Sequence, residues 1–168
     1  MTESETVTVR RAIAADGPVL ARIDLSTWTS AVSPAPPPAD PAAYAFFDER
    51  TPPEDVLVAE VRGRAAGYVK VRRPTSLPSH EHVLLVAGLA VDPPAQGRGA
   101  GRALVEAVVR DARARGARKL SLRVLGSNLT ARRLYEQCGF VVEGVLRGEF
   151  LLAGEYVDDV FMAHHLTG

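Results

Sequence analysis

The sequence predicts a single α/β domain built on a mixed central sheet of about seven strands with helices on both faces. Three observations lead there. Seven short β-rich runs recur along the chain, several alternating apolar with polar residues. Between them, Val19-Leu20-Ile23 and Leu104-Val105-Val108-Val109-Ala112 repeat at helical spacing. The 168 residues suit one core and leave little room for a second.

In order, Thr6 to Arg11 alternates around Val7 and Val9 as an opening strand, and Asp16 is placed to cap a helix carrying Val19, Leu20, Ile23 and Leu25. "SPAPPPADP", Ser33 to Pro41, has five prolines, which remove backbone donors and exclude a helix. "AAYAFFDE", Ala42 to Glu49, reads as a short helix. Val56 to Val61 and Ala66 to Val71 form a hairpin signal around Gly63. A second loop, Arg72 to His82, leads into the apolar strand Val83 to Val91. After a glycine-rich turn comes the long helix, with Arg102, Glu106 and Arg110 as an exposed i,i+4 ladder and Gly116 as its left-handed cap. "RKLSLRVL" alternates as a strand. Ser127 or Asn128 caps a short helix to Cys138, which Gly139 stops, and strands near Phe140–Leu146 and Tyr156–Leu166 finish the chain.

Composition narrows the function. Twenty Lys and Arg balance twenty Asp and Glu, so no overall field recruits nucleic acid or an anionic membrane, and any anion site is local. The apolar run Val83 to Val91 is far shorter than the roughly 20 residues of a membrane-spanning helix. The polar start "MTESETVTVRR" lacks a signal peptide's apolar segment, so the expected location is the cytoplasm. The single Cys138 excludes an internal disulfide and a multi-thiolate zinc site. His80, His82, His164 and His165 have no acidic or thiol partner at ligand spacing, so no metal is assigned.

The chemistry concentrates in "DPPAQGRGAGRALVEAVV", Asp92 to Val109. A strand, a glycine-rich turn and a helix N-terminus in succession make an anion site, because backbone N–H groups point into the turn and the helix dipole adds positive potential. Glycines at 97, 99 and 101 let a phosphate approach those donors, and Arg98 offers a charged contact. A plain connection with no ligand competes with this for any isolated motif of its size. Gly101 is followed by Arg102 and Ala103, where a nucleotide-triphosphate loop needs Lys and Ser or Thr, and the alternate glycines do not match Gly-x-Gly-x-x-Gly.

"VAGLAVDPPAQGRGAGRALVEAVV" resembles the GNAT family of N-acetyltransferases, whose cofactor signature stands here as Gln96-Gly97-Arg98-Gly99-Ala100-Gly101. "NLTARRLYEQCGF", Asn128 to Phe140, resembles that family's second cofactor segment. The likeness covers most of the chain and is weakest through Thr27 to Pro53. It implies the family's mostly antiparallel sheet and a cosubstrate, acetyl-CoA. Its pyrophosphate would lie on the N–H groups of Arg98 to Gly101, flanked by Gln96, Gly97 and Arg102. Its pantetheine arm would pair with the strand at Leu89, Ala90 and Val91, as an added strand does. Asn128, Arg132 and Tyr135 complete the implied cofactor set.

Asn128 and Tyr135 are seven residues apart, so on a helix they fall about 20° from eclipsed and roughly 10 Å apart along the axis. A tyrosine hydroxyl with a reference pKa near 10 can protonate a leaving thiolate whose acid is near 8.5, and the resemblance gives Tyr135 that role. On spacing alone, Tyr135 would pack with Ala131, Leu134 and Cys138 as core. Cys138, in a helix's last turn where the dipole opposes a thiolate, reads as structural rather than as a nucleophile.

The base is open. Family members often carry an acid in the strand before the turn, but Val83 to Leu89 has none. Glu81 is taken as the catalytic base, acting through water, with His80 and His82 as alternatives; Asp158 or Asp159 would orient the acceptor. Trp28, Tyr44, Phe46 and Phe47 wall the acceptor pocket by resemblance and equally suit a core. The expected acceptor is a primary amine of a small molecule such as an amino acid, attacked directly in a ternary complex. A protein N-terminus is the alternative, a non-catalytic acyl-CoA sensor is the reading from another class, and a homodimer is compatible with the resemblance.

Overall fold

The computed structural model describes residues 5 to 167. Met1 to Ser4, part of the polar start, and Gly168 lie outside them. Seven strands form one sheet: β1 (Val7–Arg11), β2 (Val56–Val61), β3 (Arg64–Arg72), β4 (Val83–Val91), β5 (Lys119–Leu125), β6 (Val141–Leu152) and β7 (Glu155–His165). Their order across the sheet is β1-β2-β3-β4-β5-β7-β6, and every neighbouring pair is antiparallel except β4 with β5. Among the described residues, no helix is long and apolar enough to cross a membrane.

Two helices sandwich the first half of the sheet, and strand alternation decides which residues each covers. Leu57, Ala59, Val69 and Val71 belong to one core with α2 (Ala100–Ala114), while Val56, Val58, Tyr68 and Ala90 pack with Leu20 and Ile23 of α1 (Gly17–Thr27). All five residues of the expected α2 stripe are buried, with Leu104 wholly inaccessible. On the opposite side of α2, Arg102 reaches Glu106 at 2.9 Å as the i,i+4 pattern requires. The third helix, α3 (Leu129–Gln137), shares the α2 core through Tyr135.

The punctuation falls where the sequence puts it. Arg62 and Gly63 both take positive φ in the β2–β3 turn, as a tight hairpin demands, and Gly116 and Gly139 end α2 and α3 at φ 81° and 95°. Asn128 caps α3, its side chain accepting from the Ala131 N–H at 3.2 Å.

The expected helix at Ala42 to Glu49 does not form. One 3₁₀ turn, Pro41–Ala43, gives way to extended backbone, and Asp48 bridges Thr51. Tertiary contacts win over propensity here. Phe46 is 3% exposed with its ring 4.7 Å from that of Tyr68, while Tyr44 reaches Asp24. A helix would not send side chains two apart toward the same core. The last hairpin is also longer than expected, because β6 continues through an irregularity between Leu146 and Phe150 that contains Gly148 at φ 59°.

Strand β4 is irregular along both edges. Gly88 pairs with Lys70 and Val86 with Val71, which leaves Ala87 as an extra residue, a bulge that bends the strand. On its other side β4 pairs with β5 only at Val83, Leu84 and Leu85, opposite Lys119, Leu120 and Ser121. Beyond that the two strands part, and a wedge opens between them. Gly67 holds β3 against the far end of β4, because a Cβ there would lie 2.7 Å from the Ala90 carbonyl oxygen and 3.3 Å from Leu104. Gly67→Ala is therefore expected to cost about 1–3 kcal/mol by forced overpacking, read as a lower Tm; an unchanged Tm would mean that β3 and β4 part there freely.

Candidate active site

The wedge is the candidate site. Its β4 wall is Val86 to Ala90, its β5 wall is Leu122 to Val124, and α3 contributes Asn128, Ala131 and Tyr135. This cavity has a volume of about 350 Å³. A second basin of about 630 Å³ shares Leu89, Ala90, Asn128 and Ala131 with it and runs on to Val91 and the glycine turn.

The turn is built as its glycines suggest. Gly97 and Gly99 take φ of 78° and 86°, with Gly99 serving as the N-cap of α2. Ala103 is the first residue of the helix to donate back, to the Gly99 carbonyl at 3.0 Å. The N–H groups of Arg98 to Arg102 donate to no protein acceptor among the described residues. Consecutive free donors at a helix N-terminus form an anion cradle. Gln96 ties the turn to the strand, its Nε2 donating to the Val91 carbonyl at 3.0 Å. Gly101 packs tightly, since a Cβ there would come within 3.3 Å of Leu134.

Leu89, Ala90, Val91, Gln96, Gly97, Gly99, Ala100, Gly101, Arg102 and Asn128 all line the second basin. The Arg98 side chain does not, because its guanidinium pairs with Glu5 and faces the other side of the turn. Arg132 also turns away, toward the Gly126 carbonyl. Thr130, Arg133 and Gln137 line the basin instead. Helical periodicity is the signal that finds them: these three share a strip with Leu134, while Arg132 lies about 100° round from Arg133.

Tyr135 is 8% exposed and sits at the cavity wall, its ring 5.6 Å from that of Phe140. Burial pushes its hydroxyl up to about 12, so the phenol keeps its proton at neutral pH. Burial also raises the Cys138 thiol, helped by Glu106, which makes it a poor nucleophile.

Glu81 and Tyr135 are not brought together. Glu81 is exposed just before β4 and lines a separate basin with Arg50, Arg72 and Arg73. His80 is near it, bonded to Thr75, and His82 begins the closed end of the wedge, its carbonyl accepting from the Arg118 and Lys119 N–H groups. Asp158 faces Arg147 and the Gly148 N–H, which hold its carboxyl below the usual range. Asp159 is 2% exposed and held by Arg123, whose guanidinium also covers Phe161 at 4.8 Å and reaches the cavity.

An acid absent from the sequence-based assignment lies in the cavity wall. Asp24 is 9% exposed and accepts from the hydroxyls of Tyr44, at 2.5 Å, and Tyr68. Burial, and after it the Asp24 carboxylate, raises both phenols. Asp24 is four residues beyond Leu20, on the stripe the helix buries, and an acid on an apolar stripe is the signal that marks it. Trp28, Val32 and Pro34 overhang the same cavity, with the Trp28 indole anchored to the Ala35 carbonyl at 3.0 Å. Phe46 is core, and Phe47 packs beside it.

The profile described as "Acetyltransferase (GNAT) family" matches residues 20–140. A mycothiol acetyltransferase of Amycolatopsis mediterranei is 41% identical over 101 residues, 57% of this chain and 32% of that protein. A ribosomal protein bS18 alanine N-acetyltransferase of Salmonella typhimurium is 39% identical over 75 residues, 45% of this chain and 51% of that protein. The matches therefore span from a third to about half of those relatives' length. Among solved structures, smu.2055 of Streptococcus mutans superposes with a TM-score of 0.82 at 26% identity, covering 96% of this chain and 99% of its own. A phosphinothricin acetyltransferase of Sinorhizobium meliloti in complex with acetyl-CoA superposes at 0.79 and 22% identity, covering 96% and 89%, which is a likeness of fold.

Proposed function

The chain belongs to the acetyltransferase (GNAT) family, and on that premise we propose that it is an N-acetyltransferase, moving the acetyl group of acetyl-CoA to a primary amine within one α/β domain. The observation that carries the reading is the wedge between β4 and β5, open to the donor turn at one end and to Tyr135 at its wall. Free N–H groups from Arg98 to Arg102 suit a pyrophosphate, and the β4 edge at Leu89 to Val91, unpaired with β5, suits an amide-bearing arm. Acetyl-CoA supplies an activated acyl group on a thiol leaving group.

The residues then divide the work. The turn and Asn128 hold the cosubstrate, and the Leu89 to Val91 edge aligns the thioester along the wedge. Tyr135 donates its proton to the departing sulfur, a role supported by a hydroxyl that burial keeps protonated. The raised Cys138 thiol disfavours a covalent acyl-enzyme, so attack is direct, with amine and thioester bound together. A cavity of about 350 Å³ under the Trp28 to Pro34 overhang is at the small end of ligand sites and favours a small amine such as an amino acid. The protein N-terminus is the second reading, supported by the likeness to the ribosomal protein alanine acetyltransferase.

The test is thiol release from acetyl-CoA with alanine, lysine, spermidine, kanamycin and an alanine tripeptide. Release with a free amino acid or another small amine is the expected result. Release with the tripeptide alone would move the acceptor to protein N-termini. Binding of acetyl-CoA with no release for any of them would sink the enzyme reading in favour of a sensor.

A further inference from the structure

Attack on the thioester needs a free amine, yet most primary amines arrive as ammonium ions at neutral pH. Val83 to Val91 holds no acid, and Glu81 faces another basin. The wedge does hold one buried carboxylate on its acceptor side. We propose that Asp24 receives the acceptor's ammonium group and takes its proton before attack, an inference that rests on the N-acetyltransferase reading.

Asp24 forms no ion pair with Lys, Arg or His among the described residues. Its two partners are phenols, Tyr44 on one oxygen and Tyr68 on the other. An ionised carboxylate accepts about four hydrogen bonds, so two lone-pair directions stay open on a group that lines the cavity. A buried anion satisfied by neutral donors alone is costly, and a cation of the right size lowers that cost. A primary ammonium provides the charge and three N–H donors.

Two cations line the cavity with Asp24, Arg123 of β5 and Lys70 of β3, and Arg123 is already paired with Asp159. From β3, Tyr68 donates to Asp24, and the Lys70 ammonium sits over the rings of Phe46 and Tyr68, 5.4 and 6.0 Å from their centres, without pairing with Asp24. From the segment after α1, Tyr44 donates, with Asp48 further off. From α3, the neutral Tyr135 lines the same cavity. Since burial and Asp24 both raise Tyr44 and Tyr68, those hydroxyls remain donors and do not compete as bases.

The steps balance. One ammonium proton passes to an Asp24 oxygen, leaving a neutral amine and a neutral carboxyl. The nitrogen lone pair forms the bond to the acyl carbon, and the carbon–sulfur electron pair leaves with sulfur. Tyr135 supplies the thiol proton and is made whole by the second nitrogen proton as the amide forms. Asp24 returns its proton to water. Neither oxidant nor further reactant is needed.

Asp24→Asn keeps the shape and an oxygen acceptor for one phenol, leaves the other hydroxyl to accept from the amide N–H, and removes the charge. With acetyl-CoA and whichever of the five panel amines wild type uses best, kcat/KM at pH 7 is expected to fall about 10²-fold or more. Acetyl-CoA affinity, measured by calorimetry, should stay within about threefold. The deficit should shrink as pH rises toward the amine's own pKa, because water then supplies the free amine. Asp24→Ser, which fits the same space and still offers an oxygen to a phenol but carries no charge, should show the same loss at pH 7, and it provides the test should Asp24→Asn not fold. An Asp24→Asn or Asp24→Ser enzyme within threefold of wild type, or a deficit of equal size at pH 7 and pH 10, would each overturn the proposal while leaving the acetyltransferase reading intact. A wild type that binds acetyl-CoA and acetylates none of the panel would remove both.

Discussion

Replacing Tyr135 with phenylalanine is expected to lower kcat by about 10²–10³-fold while leaving acetyl-CoA affinity and Tm nearly unchanged. The substitution removes one oxygen and keeps the ring, so the packing on Phe140 at 5.6 Å survives. The Tyr135 hydroxyl makes no hydrogen bond among the described residues, so the protein loses no internal partner. What disappears, on the proposed role, is the proton for the departing sulfur, which matters only as the carbon–sulfur bond breaks. The pH profile adds an independent check. With the phenol at about 12, wild type should show no alkaline decline from this group below about pH 11. A Phe variant with wild-type kcat would return Tyr135 to a packing role.

The second large effect falls on binding. Gly99 holds φ 86° at the start of α2, a conformation that costs a β-branched residue about 1–2 kcal/mol or more. Gly99→Val is therefore expected to lower Tm by several degrees and to weaken acetyl-CoA at least tenfold, since either relief of the strain or a bulky side chain misdirects the N–H groups that follow. A Cβ at this position meets no protein atom within 4 Å, so internal clashes would not account for the loss. Retained affinity in a destabilised variant would separate the turn's geometry from ligand binding and remove the anion cradle from the proposed function.

The parts of this site that depend on local sequence are legible in it, and the parts that depend on tertiary meeting are not. Left-handed glycines, the Asn128 cap and the α2 stripe follow from steric and periodic rules acting over a few residues, so Gly97, Gly99, Gly116 and Leu104 fall where expected. The helix at Ala42 to Glu49 fails because Tyr44 and Phe46 find partners on α1 and β3, far away in sequence. Motif position assigns Arg98 and Arg132 to the cofactor, yet a side chain's direction depends on its neighbours, here Glu5 and the Gly126 carbonyl. Asp24 escapes notice because acids in helices are commonly solvated, although its place in line with Leu20 marks it. Glu81 is attractive for lying just before the strand, but a nine-residue strand separates its two ends by roughly 27 Å, and the candidate site lies toward the other.

The brief parallel pairing of β4 and β5 has a consequence for the whole domain. Strands β1 to β4 form one antiparallel ribbon and β5 to β7 another, and among the described residues the ladder between them runs over three residue pairs, all at one end. The proposed acetyl-transfer opening is thus also the fault line of the protein. An arm laid along it would serve as a temporary eighth strand, so that saturation at 100 times Kd, worth about 2.7 kcal/mol, would be felt as cohesion between the ribbons. Each turnover would then mend the seam on binding and unpick it on release.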